Sequence, residues 1–237
     1  MTSISFEEQV VVVTGAGGGL GSAFAQEIAR RGGSVVVNDL GGSVTGEGAG
    51  ASREFADAVV DAIRAAGGRA VTNYDSVAKP EGARRIVESA MDNFGRIDSV
   101  IANAGNMRFG DFEDLSFEDL NSLLAVHVGG SWNIAQAAWP EMKRRGYGRV
   151  VFATSSGGTL GNAQLSAYGA AKGGVMGLMH GLAEAGEPHG ILCNAFMPNA
   201  ISRMTSDIKP GELGENQWAE TLGRYFAPAY TTGLVTF

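Results

Sequence analysis

The sequence predicts an α/β protein built on a doubly wound, Rossmann-like parallel sheet with helices on both faces. Three observations predict it. Strand-length apolar runs alternate with helix-length patterns along most of the chain, and such alternation is joined by right-handed crossovers into a parallel sheet. The runs are continuously apolar rather than alternating, as in strands covered on both sides. Finally, a glycine-dense turn, Thr14-Gly15-Ala16-Gly17-Gly18-Gly19-Leu20-Gly21, joins the first run to the first helix.

Taken in chain order, Val10–Val13 is the first strand and Leu20–Arg31 the first helix. The strand Ser34–Asn38 is followed by a glycine-rich loop over Gly41–Gly50 and a helix over Ser52–Ala66. Ala70–Asn73, Pro80–Phe94 and Ile97–Ala102 continue the alternation, and one long helix is expected over Phe117–Arg144. Arg149–Thr154, the helix Ser166–Gly186 and the strand Ile191–Phe196 complete it. Beyond Phe196 the pattern turns to loop and short-helix character, ending in Pro228–Phe237, which reads as a helix start with no strand after it. With no proline-rich linker or shift in composition, residues 1–237 are read as one domain.

Composition narrows the function. A net charge of −7 opposes nucleic-acid binding, which needs a basic face. No apolar run approaches the roughly 20 residues of a membrane span, and Met1 to Gln9 lacks the regions of a secretory signal. The lone cysteine, Cys193, forbids an internal disulfide, and no metal-ligand spacing is present. The expectation is a cytoplasmic protein that binds neither nucleic acid, membrane nor metal.

The glycine turn fits T-G-x-x-x-G-x-G at every position and fails G-x-G-x-x-G, because Leu20 stands where the third glycine would be. Between a strand and a helix, such a turn lets backbone approach a pyrophosphate and aims free helix N–H groups at its charge. Asp39 ends the second strand, where a carboxylate accepts hydrogen bonds from ribose hydroxyls and repels a 2′-phosphate. The cofactor expected is therefore NAD. Tyr168 and Lys172 lie four apart on a helix, hence on one face. An ammonium there is expected to lower the tyrosine pKa from near 10 into the range of a useful acid–base. Ser155, in the hydroxyl-rich turn Thr154-Ser155-Ser156 at the end of the fifth strand, is placed to polarise a substrate carbonyl.

These motifs, with Asn103-Ala104-Gly105 and Tyr168-Gly169-Ala170-Ala171-Lys172 in order, resemble the short-chain dehydrogenases/reductases over nearly the whole chain. The resemblance implies that Ser155, Tyr168 and Lys172 are catalytic. It implies that Gly15, Gly19, Leu20 and Gly21 cradle the cofactor with Asp39, and that Asp75 and Ser76 reach its adenine. Asn103, Ala104 and Gly105 would flank it, and Pro198 to Ile201 would lie against the nicotinamide. Two positions depart from the family pattern. Ala102 replaces the first Asn of Asn-Asn-Ala-Gly, and His127 stands where an Asn usually serves a proton relay. His127 joins the catalytic set through its ring or its backbone carbonyl, unless it is a packed core histidine.

Asn38-Asp39-Leu40-Gly41-Gly42, Asn73-Tyr74-Asp75-Ser76-Val77, Val126-His127-Val128 and Pro198-Asn199-Ala200 are similar to one branch of that family. That branch is the (3R)-hydroxyacyl-CoA dehydrogenase unit of peroxisomal multifunctional enzyme type 2, with its free-standing bacterial relatives. It implies an acyl-CoA substrate, for which Arg108, Arg203 and Lys209 are candidate phosphate ligands. A steroid or other bulky ketone is the rival, favoured by Met107, Phe109, Phe196, Met197 and Met204. A catalytically silent NAD-binding protein is the third reading. The chain lacks a Ser-Lys-Leu tail, so peroxisomal targeting does not carry over. Gly169, Gly173, Gly174, Gly177 and Gly181 give one helix a smooth face, read as the interface of a homodimer or homotetramer. The family's usual seventh strand is missing from the sequence.

Overall fold

Successive side chains of a strand point to opposite faces, so the run Val10-Val11-Val12-Val13 feeds two cores at once. In the computed structural model, which describes residues 4–42 and 52–198, Val10 and Val12 pack into one apolar layer and Val11 and Val13 into the other. The strands are β1 (Val10–Thr14), β2 (Ser34–Asn38), β3 (Arg69–Asn73), β4 (Ser99–Ala102), β5 (Gly148–Ala153) and β6 (Ile191–Phe196). All neighbours pair in parallel, in the order β3-β2-β1-β4-β5-β6. Val12 thus lies between Val36 of β2 and Val100 of β4.

The helices are α1 (Gly19–Arg30), α2 (Glu54–Ala65), α3 (Pro80–Phe94), α4 (Phe117–Leu124), α5 (Gly130–Arg145) and α6 (Ser166–Gly186). The first layer takes α3, α5 and α6 through Ile86, Ile134, Met142 and Val175. The second takes α1 and α2 through Phe24, Ile28, Val60 and Ile63. Each large apolar side chain so buried stabilises the fold by about 1.5–3 kcal/mol. The doubly wound parallel sheet with helices on both faces is therefore as expected.

The chain winds from β1 out to β3 and then returns to the other side of β1 for β4. The crevice at the carboxyl ends of β1 and β4 is where open sheets of this kind bind ligands. The edge-on contact of Phe24 with Phe196, at 5.4 Å, fixes the end of β6 against α1 beside it.

One expected element is different. The helix predicted over Phe117–Arg144 is broken into α4 and α5 by a π-helical turn at Ala125–Gly129. Such single turns widen a helix and are frequent at functional sites; here the turn carries His127. Residues 43–51, 199–237 and the first three lie outside the described residues. The tip of the Gly41–Gly50 loop, Ile201, Arg203, Met204, Lys209, the Pro228–Phe237 segment and the seventh-strand question all fall there. Among the described residues no helix is long and apolar enough to cross a membrane, and no cluster of His, Cys, Asp and Glu is placed to hold a metal.

Candidate active site

The glycine turn is held to a shape that side chains would destroy. Gly15 and Gly19 have φ of +65° and +54°, the left-handed region that favours glycine. A Cβ on Gly21 would stand 2.3 Å from the Gly15 carbonyl oxygen and 2.8 Å from Asn103 Nδ2. One on Gly15 would stand 2.8 Å from the Ala104 Cα. The turn is therefore locked to the segment that follows β4. Asn103 Nδ2 donates to the carbonyls of Thr14 (3.0 Å) and Gly15 (3.2 Å). Thr14 Oγ1 accepts from the backbone N–H groups of Asn103 (3.0 Å) and Ala104 (3.1 Å).

Asp39 has a task that its position in the sequence did not reveal. Its two carboxylate oxygens accept from the backbone N–H of Gly17 (2.8 Å) and of Gly41 (2.7 Å), so it shapes the loop it was expected only to accompany. Further along the same edge, Asp75 accepts from Arg85 Nε (2.7 Å) and Asn73 Nδ2 (3.1 Å). Asn38 Nδ2 donates to the Asp75 carbonyl at 2.9 Å, tying β2 to this segment. Ser76 lies against α3, its carbonyl oxygen 2.2 Å from where a Cβ on Gly82 would be. Pro198 is half-buried two residues past the end of β6.

On the other side of the crevice, Ser155, Tyr168, Lys172 and His127 converge. Ser155 Oγ accepts from the Gly157 N–H at 3.2 Å, within the turn that follows β5. Tyr168 is 7% exposed, and its pKa is raised rather than lowered. Burial pushes it up, and the hydrogen bond with the Ser155 side chain pulls it down by less. The expected ammonium effect does not dominate, because Lys172 is itself buried and driven towards neutrality, its pKa pulled down to about 7. Lys172 Nζ donates to the Ala153 carbonyl at 2.7 Å and sits 5.6 Å from the centre of the Tyr168 ring. His127 is buried with its Nε2 2.8 Å from the Asn106 carbonyl oxygen, and its ring meets Tyr168 edge-on at 5.3 Å. Burial, helped by the nearby Lys172 charge, takes its pKa down to about 3.

Other expectations are corrected. Arg108 is not held ready for a phosphate. It is largely buried, with Nε donating to Asp119 Oδ1 at 3.2 Å, and Asp119 in turn caps α4 through Ser116. The smooth face of α6 is largely used within the chain. A Cβ on Gly169 would stand 2.7 Å from the Gly157 carbonyl oxygen, and one on Gly174 2.9 Å from Val128. Of the five, only Gly177 and Gly181 have nothing within 4 Å of an added Cβ among the described residues. Asn106 was missed altogether. Its proximity to Asn103-Ala104-Gly105 was the available signal, but it meets His127 through a backbone carbonyl, which no side-chain pattern announces.

The arrangement is a glycine cradle, a polar clamp and a hydroxyl–phenol–amine cluster about one crevice. The chain matches the short chain dehydrogenase family over residues 9–212. It belongs to that family. It is 50% identical over 209 residues to a short-chain type dehydrogenase/reductase of Mycobacterium tuberculosis, covering 88% of this chain and 72% of that one. It is 47% identical over 212 residues to peroxisomal multifunctional enzyme type 2 of Mus musculus, covering 90% of this chain but only 28% of the relative. Among solved structures, a short chain dehydrogenase from Mycobacterium avium matches with a TM-score of 0.82 at 33% identity, covering 98% of this chain and 77% of that one. An NAD+-bound xylitol dehydrogenase matches at 0.75 and 29% identity, covering 81% and 70%. This short-chain dehydrogenase is thus an oxidoreductase of a family that uses a nicotinamide cofactor on CH–OH groups. The residues of the crevice fit that cofactor: the glycine turn has no room for side chains, and a buried amine and phenol flank the place it opens onto.

Proposed function

We propose that this chain is an NAD-dependent dehydrogenase that interconverts a secondary alcohol and its ketone, with a 3-hydroxyacyl-CoA and its 3-oxoacyl-CoA as the substrate pair. The observation that carries the reaction is the convergence of Ser155, Tyr168 and Lys172 at the carboxyl end of β5, beside the glycine cradle. When bound, the cofactor supplies or accepts the hydride. The chain's own residues handle the oxygen and the proton. The Ser155 and Tyr168 hydroxyls hold the substrate oxygen, where negative charge develops as hydride leaves an alcohol or before a ketone is protonated. Tyr168 gives its proton to that oxygen in reduction and takes it in oxidation. Lys172, whose pKa burial brings down to about 7, is suited to replenish or drain that proton.

Gly15, Gly19, Leu20, Gly21, Asn103, Ala104 and Gly105 form the wall for the pyrophosphate and nicotinamide, with Pro198 near its far end. Asp75 and Ser76 lie on the adenine side. Asp39 favours NAD over NADP, since a 2′-phosphate beside a carboxylate already anchoring the loop is repelled. Gly21→Ala forces a Cβ against the Gly15 carbonyl. Such overpacking costs about 1–3 kcal/mol, so NADH affinity is expected to fall about 5- to 150-fold in a fluorescence titration. Unchanged affinity would remove the turn from the cofactor site.

The acyl-CoA assignment rests on the resemblance to the multifunctional-enzyme branch. A bulky apolar ketone is favoured by a different observation: Arg108 is engaged by Asp119, while Phe109 and Leu160 are exposed on loops joined by the Gly110 N–H to the Gln164 carbonyl. The deciding experiment is to mix the protein with acetoacetyl-CoA and follow NADH, then NADPH, by absorbance. Oxidation of NADH alone supports both the acyl-CoA pair and the role of Asp39. Turnover only with a steroid ketone replaces the substrate, and NADH binding without turnover of any ketone leaves a silent binding protein. Homo-oligomerisation rests on the strip at Gly177 and Gly181, and a cytoplasmic location on the sequence alone.

A further inference from the structure

β2 and β3 both end in a buried asparagine. Asn38 and Asn73 pair across the sheet, and each side-chain amide is spent on its neighbours. Asn38 Nδ2 donates to Asn73 Oδ1 (3.0 Å) and to the Asp75 carbonyl (2.9 Å). Asn73 Oδ1 also accepts from the Asp75 N–H at 2.9 Å. Asn73 Nδ2 donates to Ser89 Oγ (3.0 Å) and to Asp75 Oδ2 (3.1 Å). From α3, Arg85 Nε donates to the other carboxylate oxygen, Asp75 Oδ1, at 2.7 Å. Arg85 and Ser89 lie four apart, so one face of α3 presents both to the strand ends. Buried amides are costly unless hydrogen-bonded, and these two are. A satisfied buried network of this kind rigidifies its surroundings and specifies one arrangement of them. The group it arranges is the Asp75 carboxylate.

We infer that Asn73 and Arg85 are positioning residues for base recognition, clamping the Asp75 carboxylate so that its remaining lone pairs select a 6-amino purine. The inference rests on the cofactor reading above, which sets Asp75 on the adenine side of the crevice. A carboxylate offers about four acceptor sites. Each oxygen of Asp75 commits one, Oδ1 to Arg85 and Oδ2 to Asn73. The side chain is still 25% exposed, so acceptor capacity remains on the side open to a ligand. The two donors come from different elements, α3 and the end of β3, and one bond to each oxygen stops the carboxylate from swinging. An unclamped side chain would lose that freedom only on binding, at a cost in affinity. Adenine carries an amine at its 6-position, which donates to such a carboxylate. Hypoxanthine and guanine carry an oxygen there, which the carboxylate repels. The clamp therefore makes Asp75 a filter for adenine dinucleotides, and Arg85 acts on the base only through it.

The test is to titrate the full-length protein with NADH and with its reduced hypoxanthine analogue, following fluorescence. Wild type should prefer NADH about tenfold or more, the worth of a hydrogen bond to a charged group. Asn73→Ala would strand Asn38 and Ser89 and disturb the fold, so the measurement falls on Arg85, which is 56% exposed. In Arg85→Met the preference should shrink about threefold or more, as between coupled neighbours. Asp75→Ala should abolish the preference, and adding Arg85→Met to it should change the ratio no further. An arginine that merely supports the fold would weaken both dinucleotides alike, and a wild-type ratio in Arg85→Met overturns the inference. Equal binding of the two dinucleotides by wild type also overturns it, while leaving the cofactor site in place. A wild-type protein that binds neither would overturn the inference together with the cofactor reading.

Discussion

Tyr168→Phe is expected to lower turnover by about 10²–10⁴-fold, the usual contribution of one positioned general acid–base, while NADH still binds. The reason lies in what the substitution leaves in place. The ring stays packed in the same apolar cluster, against Leu123 and Ala171, and keeps its edge-on contact with His127. Only the phenol oxygen, the group that would meet the substrate oxygen beside Ser155, is removed. Stopped-flow turnover with acetoacetyl-CoA, paired with an NADH titration, separates the two effects. Equal turnover would sink the assignment of Tyr168, and equal loss of NADH binding would make its role structural.

The direction of the Tyr168 shift adds a pH test to the same variant. Burial raises its pKa, so near neutrality the phenol predominates. Ketone reduction, which needs the phenol as acid, should therefore vary little with pH until the alkaline range and then fall. Alcohol oxidation needs the phenolate as base and should rise with pH across the same range. Opposite limbs in the two directions, both absent in Tyr168→Phe, are the expected pattern.

Much of this crevice was legible because it is built from local signals. The valine run of β1, the glycine turn and the spacing of Tyr168 and Lys172 each act within a few residues, and the sheet brings them together by the usual winding. What stayed hidden depends on burial and on backbone. The ammonium expected to acidify Tyr168 is too buried to hold its charge firmly, which spacing along a helix cannot reveal. The π-helical turn at His127 leaves no trace, since the helical pattern runs on through it from Phe117 to Arg144. Arg108 read as a free cation because its partner, Asp119, is a helix-capping residue eleven positions away. Asp39 was recognised by its place after β2, yet its bonds to Gly17 and Gly41 required the loop to be folded around it.

The second large effect is on stability, and it follows from Lys172. Its pKa falls from 10.5 to about 7 on folding because burial penalises the ammonium. Below pH 7 the amine is charged in both folded and unfolded states, and the folded state bears the full cost of burying it. Between pH 7 and 10.5 the unfolded chain binds more protons than the folded one, so stability rises with pH; above that window both forms are neutral and the cost is gone. Each unit of pKa difference is worth about 1.4 kcal/mol, so the window is worth a few kcal/mol. Lys172→Met removes the titration together with activity. The expected result is that wild-type stability climbs relative to Lys172→Met as pH goes from 7 to 10 in parallel urea titrations. Subtracting the variant cancels other groups that titrate in this range, Cys193 among them, since its burial lifts the thiol to about 11 in both proteins. Parallel curves would mean that the amine keeps its charge inside the fold. Lys172 would then be a fixed ammonium for orientation only, and proton exchange near neutrality would have to be carried by another group.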